Sequence, residues 1–184
     1  PAGKISVEAG PRMAAIMPFD ITIKGKSGHG SRPDLANSPI DCFVDFHNRL
    51  TTMRMQHLDP LKPVTFSVGS VHSGNAANII PESLRFSGTF RYLHVEQGEA
   101  AEKQFIKLLK ETTSFHNCSF ESHIAPKAFQ FLVYNDERCA SIAEAAVKKS
   151  IGDNALQHFP AWMASEPFAL YQQHFLGVFA FLGI

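Results

Sequence analysis

A histidine flanked by two glycines is the first feature of the sequence that could do chemistry. Gly28-His29-Gly30 lies in the glycine-rich segment 25–33, after a predicted strand and before a predicted helix. Glycine on both sides removes side-chain bulk and permits backbone angles that push the imidazole outward. An imidazole so placed could donate a hydrogen bond to a carbonyl oxygen as negative charge develops on it. The alternative is a solvent-exposed loop histidine in a tight turn.

Two further side chains suit the binding of a carboxylate or an amide. Asn78 closes a turn rich in Gly, Asn and Ala, and its side chain could hydrogen-bond either group. The alternative interpretation is that Asn78 is a turn residue whose side chain bonds to its own backbone. Arg91 ends a predicted strand and could bind a carboxylate through two parallel hydrogen bonds. The alternative interpretation is that Arg91 is an ordinary arginine at a strand end, whose guanidinium group reaches water.

The remaining polar motifs carry weaker signals. Glu166 stands before Pro167 at a predicted helix start, where helix capping alone explains a carboxylate. The other histidines lack the i,i+4 or His-x-His spacing of a ligand set, and no two cysteines have zinc-site spacing. The sequence therefore predicts no metal site within this chain. It also contains no nucleophile elbow, P-loop or dinucleotide fingerprint.

The elements that must position these residues follow from the apolar periodicity. Strands are predicted at 19–25, 64–70, 84–91 and 118–124, and helices from 39 and over 96–113. Their order is β-α-β-β-α-β, which is the split βαβ or ferredoxin-like arrangement of an antiparallel sheet with two helices on one face. The predicted fold class is α+β, with a complete domain over residues 18–127.

The first helix has the clearest start signal. Ser38 can cap it, with Pro39 at its first position. Its predicted apolar face consists of residues at three- and four-residue steps: Ile40, Phe43, Val44, Phe46, His47 and Leu50.

Residues 128–184 have a different pattern. We expect an extended segment at 128–134, helices at 136–151 and 166–174, and strands at 161–163 and 178–182. Continuous apolar strands between helices indicate an α/β sheet buried on both faces. Residues 1–17 and 128–184 are therefore predicted to be part of a second domain. Because the chain opens at Pro1 and stops within an apolar segment, we expect it to be an excerpt of a longer protein.

Composition excludes several classes of partner. The 184 residues carry 17 basic and 17 acidic side chains without runs of either sign, which predicts no binding to nucleic acid. No apolar stretch reaches the roughly 20 residues that span a bilayer, so no membrane insertion is predicted. The odd number of widely spaced cysteines, Cys42, Cys118 and Cys139, indicates buried thiols in a reducing compartment, which we expect to be the cytoplasm.

Four segments, taken in order, resemble the aminoacylase/carboxypeptidase family of metal-dependent amidohydrolases. This family includes N-acyl-amino-acid amidohydrolases, hippurate hydrolases and auxin-conjugate hydrolases. The segments are 3–15 with Gly10-Pro11-Arg12-Met13, 25–33 with Gly28-His29-Gly30, 78–91 with Asn78-Ile79-Ile80-Pro81, and 163–183 with Ser165-Glu166.

The resemblance implies a two-domain enzyme that hydrolyses the amide bond of N-acyl amino acids or small peptides. Its catalytic domain holds two divalent metals (zinc, manganese or cobalt), and an inserted lid domain of the β-α-β-β-α-β type forms a homodimer. It further implies that His29 stabilises the oxyanion, in some members within the partner subunit's site. Asn78 and Arg91 match lid positions that contact the carboxylate end of the substrate.

The sequence also departs from the family. The family's metal ligands have no counterpart here, so we expect this chain alone to bind no catalytic metal and to be inactive. Asp34 stands where many relatives have His, Ser38 where they have Asp, and Pro167 where Asp follows Glu166, which leaves the role of Glu166 open. A stand-alone dimerisation or ligand-binding module of the split βαβ fold, without catalysis, is the alternative function.

Overall fold

The computed structural model describes residues 2–125 and 131–184. These residues form two compact units. The first comprises Met17–Phe90 and 96–125, and the second comprises 2–16, Arg91–Val95 and 131–184. The predicted boundary at 127 and the first part of the predicted extended segment 128–134 lie outside the described residues.

Within these ranges the chain forms ten strands and four α-helices. The strands are β1 (Ile5–Ser6), β2 (Gly10–Met13), β3 (Ala15–Lys24), β4 (Gly28–His29), β5 (Val64–Ser73), β6 (Ile79–Ile80), β7 (Ser83–Tyr92), β8 (Ser119–Ile124), β9 (Val133–Asn135) and β10 (Phe181–Leu182). The helices are α1 (Pro39–His57), α2 (Val95–Phe115), α3 (Glu137–Ile151) and α4 (Phe168–Tyr171). Over the described residues, no helix combines the length and apolar character that crossing a bilayer requires.

The four long strands of the first unit form one sheet in the order β5-β7-β3-β8. β7 thus lies between β3 and β5, the two strands that α1 connects, which is the split βαβ topology predicted from the sequence. β8 runs antiparallel to β3, with Phe19 opposite Ile124 and Lys24 opposite Ser119. The structure therefore confirms the predicted α+β fold class. The short strands β4 and β6 form a separate pair that the periodicity did not predict.

Helix α1 begins where the sequence predicts, because the Ser38 side chain accepts a hydrogen bond from Asp41 N at 3.2 Å and Pro39 occupies the first turn. Its buried face is narrower than predicted. Cys42, Phe46, Leu50 and Met53 are buried at three- and four-residue steps. The prediction that Ile40, Val44 and His47 are part of this face is wrong, since all three residues are exposed, Ile40 by 40% and Val44 by 51%.

Phenylalanine rings fill the space between the helices and the sheet. The Phe105 ring of α2 lies 5.0 Å from that of Phe19 on β3 and 5.2 Å from that of Phe46 on α1, measured between centroids. Phe90 on β7 meets Phe105 edge to face at 5.2 Å. Such pairs stabilise the core beyond the area that they bury, by about 0.5–1.5 kcal/mol each.

The second unit has shorter strands than the sequence predicts. β1 pairs with β10 and β2 pairs with β9, both antiparallel. The predicted strand 161–163 is reduced to one bridge between Met13 and Trp162, and the predicted helix 166–174 to α4. Of the predicted strand 178–182, only Phe181 and Leu182 form a ladder, and Leu182 is 69% exposed instead of buried.

A buried asparagine explains why the last strand is short. Asn135 Nδ2 donates to Phe179 O at 2.9 Å, and Phe179 N donates to Asn135 Oδ1 at 2.7 Å. The Asn135 side chain thus satisfies the backbone groups of Phe179 that a neighbouring strand would otherwise satisfy. A side-chain partner of this kind cannot be recognised from apolar periodicity.

The three cysteines are free thiols. Cys42 is fully buried on α1, and this burial raises the pKa of its thiol to about 12. Cys118 and Cys139 are partly buried, and burial raises the pKa of each of these thiols as well. No thiol in this set has the depressed pKa of a reactive cysteine.

Two glycines on neighbouring strands give a matched test of this sheet. A Cβ on Gly88 would lie 2.0 Å from Ser67 O and 2.5 Å from Phe19 Cζ, whereas a Cβ on Gly69 would meet nothing within 4 Å. We expect Gly88→Ala to lower the free energy of unfolding by about 1–3 kcal/mol or more, because the overlap forces β5 and β7 apart. Gly69→Ala should change it by less than about 0.5 kcal/mol. Urea unfolding followed by circular dichroism measures both; equal midpoints would contradict the strand packing described.

Candidate functional site

The loop that carries His29 is hydrogen-bonded to the segment that carries Asn78. β4 pairs antiparallel with β6, which places His29 opposite Ile79. Gly30 N donates to Asn78 O at 2.8 Å. Two candidate residues that are far apart in the sequence are therefore neighbours in the first unit.

Both ends of the His29 loop are anchored by the main chain. At its start, Gly25 N donates to Glu82 O at 2.8 Å. Lys26 and Asn37 exchange two backbone hydrogen bonds of 3.0 Å each, which closes the base of the loop. The Ser27 hydroxyl donates to Ile80 O at 2.9 Å. The loop is thus a positioned element of the fold, as expected for a segment that presents a functional side chain.

The glycines beside His29 are required for close approach. A Cβ on Gly28 would lie 2.7 Å from the Ala36 Cβ, and a Cβ on Gly30 would lie 3.2 Å from Asn78 O. Neither glycine has a positive φ, so the expected need for unusual backbone angles is not met. Glycine is therefore required at positions 28 and 30 because it lacks side-chain bulk.

The imidazole of His29 is exposed and is contacted by a residue that the sequence analysis did not single out. Ser31 N donates to His29 Nδ1 at 3.2 Å, and the Ser31 hydroxyl lies 2.8 Å from the same nitrogen. A hydroxyl residue two positions after the histidine is a recognisable signal, because Ser side chains bond locally in loops. Nε2 makes no hydrogen bond to any residue in the described ranges and is free to meet a ligand.

The side chains of Asn78 and Arg91 differ in what they already contact. Asn78 is exposed, and within the described ranges its amide group has no hydrogen-bond partner, so it is not bonded to its own backbone. Arg91 is partly buried and belongs to the second unit, where its Nη1 donates to Met163 O at 3.1 Å. This contact uses one of the five N–H donors of the guanidinium group.

The carboxylates of Asp34 and Glu166, at two positions where the sequence departs from or leaves open the family pattern, have structural partners. Arg32 Nε and Nη2 donate to the two carboxylate oxygens of Asp34 at 2.9 and 2.7 Å, which lowers the pKa of Asp34. The pair is exposed and contributes little to stability. Glu166 accepts a hydrogen bond from Phe168 N at 3.3 Å, which is the capping role that its position predicts.

The resemblance implies metal ligands, and the described residues do not supply them. Within 2–125 and 131–184, no group of three or more His, Cys, Asp or Glu side chains could hold a metal ion. A pair of divalent metals does not fit this set of side chains.

The chain is similar to known proteins of one family. The family model described as the peptidase dimerisation domain (M20_dimer) matches residues 15–116. The chain is similar to N-acetyldiaminopimelate deacetylase of Enterococcus faecalis, with 27% identity over 100% of this chain and 48% of that protein. It is also similar to an IAA-amino acid hydrolase of Arabidopsis thaliana, with 28% identity over 99% of this chain and 42% of that protein. The chain thus spans about half the length of the relatives that it matches.

A solved structure shares the fold. A dinuclear metal-binding peptidase of the M20 family from Bacillus subtilis superimposes with a TM-score of 0.79 and 24% sequence identity. The match covers 100% of this chain and 44% of that one.

The contact between Gly28 and Ala36 gives a test of how the loop is positioned. We expect Gly28→Ala to displace β4 from β6, because the two Cβ atoms would overlap at 2.7 Å and neither can move without the backbone. The free energy of unfolding should fall by about 1–3 kcal/mol. Backbone amide NMR signals of His29, Ile79 and Ile80 should shift more than those of α3. Unchanged signals at these positions would show that the loop packs differently.

Proposed function

We propose, because the chain belongs to the family of M20 peptidase dimerisation domains, that it is part of a metal-dependent amidohydrolase. Residues 18–127 would be the lid and dimerisation domain, and 1–17 and 128–184 part of the catalytic domain. The family match to residues 15–116 and the compact unit built from Met17–Phe90 and 96–125 support this division.

The substrate class that we propose is N-acyl amino acids or small peptides. Two relatives are named for substrates of this kind, the N-acetyldiaminopimelate deacetylase and the IAA-amino acid hydrolase. The reaction would be hydrolysis of the amide bond, with two divalent metals (zinc, manganese or cobalt) held by residues outside this chain and activating the attacking water. The chain alone would then hydrolyse nothing.

The single observation that carries the proposal is the exposed His29 imidazole on an anchored loop, with Nε2 free of partners in the described ranges. A fixed N–H donor is what the oxygen of a tetrahedral intermediate requires as it gains negative charge. We propose that His29 supplies this donor, either in its own subunit or in the site of a partner. Asn78 and Arg91 would bind the carboxylate end of the substrate through their free N–H groups.

The cytoplasm is the compartment that we propose. All three cysteines are free thiols, which suits a reducing environment.

A homodimer through the lid domain is the assembly that we propose. β5 and β8 are the outer strands of the four-stranded sheet, and an edge strand offers unpaired backbone groups to another chain. Ile40 and Val44 lie one turn apart on α1 and are 40% and 51% exposed. An exposed apolar stripe and an open sheet edge in one domain suit a symmetric contact with a second copy.

Replacing His29 tests the catalytic role. In the full-length protein that contains this chain, we expect His29→Ala to lower kcat by about 10²–10³, as for the loss of an oxyanion donor. The assay would measure release of free amino acid from N-acetyl and N-benzoyl amino acids with zinc, cobalt or manganese. His123→Ala, at an exposed histidine of β8, is the matched control and should keep kcat within about twofold.

The alternative function is a dimerisation or ligand-binding module of the split βαβ fold without catalysis. It predicts that His29→Ala and His123→Ala behave alike. It also predicts that no metal releases amino acid from either substrate class. A failure to release amino acid would remove the support for an amidohydrolase, whereas equal kcat values in the two variants would remove the proposed role of His29.

A charge on α1 tests the assembly. Val44→Glu should raise the dissociation constant of the dimer at least about tenfold, because a two-fold contact brings both copies of the new carboxylate together. Sedimentation equilibrium of the 184-residue chain measures the constant. Ile142→Glu on α3 is the control, since Ile142 is 61% exposed but lies in the second unit. If the control weakens the dimer as much as Val44→Glu does, α1 is not the contact.

A further inference from the structure

The two donors from Ser31 determine which nitrogen of His29 carries the proton. Ser31 N lies 3.2 Å from His29 Nδ1, and a backbone N–H can only donate. Nδ1 must therefore present its lone pair to Ser31. The Ser31 hydroxyl, 2.8 Å from the same nitrogen, can donate its proton there as well. In the neutral imidazole, the hydrogen is then on Nε2.

We propose that Ser31 is a positioning residue that holds His29 as the Nε2–H tautomer, so that Nε2 is the donor offered to substrate. This inference rests on the proposed function of His29. The opposite tautomer would direct an N–H of the ring at the N–H of Ser31. It would also present a lone pair on Nε2 to the developing oxyanion, which repels it.

The backbone fixes the geometry of this contact. Gly30 N is held by Asn78 O at 2.8 Å, and Arg32 N donates to His29 O at 2.9 Å. The backbone N–H groups on both sides of Ser31 thus donate to carbonyl oxygens. These two hydrogen bonds fix the direction of the Ser31 N–H. The main chain supplies one donor with any residue except proline at position 31. The hydroxyl supplies the second donor, and alanine at this position would not.

The arrangement assigns distinct roles to the two serines of the loop. The Ser27 hydroxyl donates to Ile80 O at 2.9 Å and holds the loop against β6 without touching the imidazole. The Ser31 hydroxyl touches the imidazole. Ser27→Ala therefore measures the effect of loosening the loop, and Ser31→Ala measures the loss of a hydrogen bond to the ring.

Long-range ¹H–¹⁵N NMR spectra of the 184-residue chain test the proposal, because the ¹⁵N shifts of Nδ1 and Nε2 report the tautomer ratio. At pH 8, the Nε2–H form should predominate over the Nδ1–H form in the unmodified chain. Ser31→Ala should lower the ratio of Nε2–H to Nδ1–H roughly three- to tenfold, the usual net effect of one hydrogen bond. Ser31→Thr should restore it, and Ser27→Ala should leave it within about twofold.

Three results would overturn the proposal: a predominant Nδ1–H form, an unchanged ratio in Ser31→Ala, or an equal fall in Ser27→Ala. In the full-length enzyme, Ser31→Ala should lower kcat in proportion to the fraction of His29 that remains in the Nε2–H form, with KM unchanged and with recovery in Ser31→Thr. If His29→Ala leaves kcat unchanged, the proposed role of His29 fails, whereas the NMR spectra still decide whether Ser31 sets the tautomer.

Discussion

The candidate site depends on one constraint: the end of β3 lies beside the start of β7 in the sheet. Directly beyond these neighbouring strands, Gly25 N donates to Glu82 O at 2.8 Å. The segments that continue from this point start side by side, so they can pair as β4 and β6. A Cβ on Gly25 would lie 2.1 Å from Asn37 O, which makes glycine necessary where the loop leaves the sheet.

Helix α1 is held against this framework at its start and in its second turn. Asn37 Nδ2 donates to Asn117 O at 2.9 Å, just before β8 begins. Asp45 Oδ2 lies 3.2 Å from His116 Nε2, and Asp45 also accepts a hydrogen bond from Arg49 at 2.8 Å. These two partners, Arg49 first, lower the pKa of the Asp45 carboxyl group. The segment between α2 and β8 thereby fixes the helix that follows the His29 loop, and the phenylalanine core fixes both helices on the sheet.

Hydrogen-bond donation is the chemistry that we propose for the candidate residues His29, Asn78 and Arg91. In the described residues, no group of three or more His, Cys, Asp or Glu side chains could hold a metal ion. Under the proposed function, N–H donors suit recognition of substrate oxygens and stabilisation of developing charge. In the enzyme that we propose, water activation would belong to residues outside this chain. The match of the chain to about half the length of its relatives agrees with this division.

The sequence by itself determined the features that depend on neighbours along the chain. Alternation and helical periodicity predicted the β-α-β-β-α-β order, and Ser38-Pro39 predicted the start of α1, because these signals act over a few residues. Only the tertiary structure decided the features that require distant partners. It placed Asn78 beside the His29 loop, exposed Ile40 and Val44, and let Asn135 replace a strand partner of Phe179. Hydrogen bonds between remote segments leave no periodic pattern in the sequence, so their partners appear only once the chain is folded.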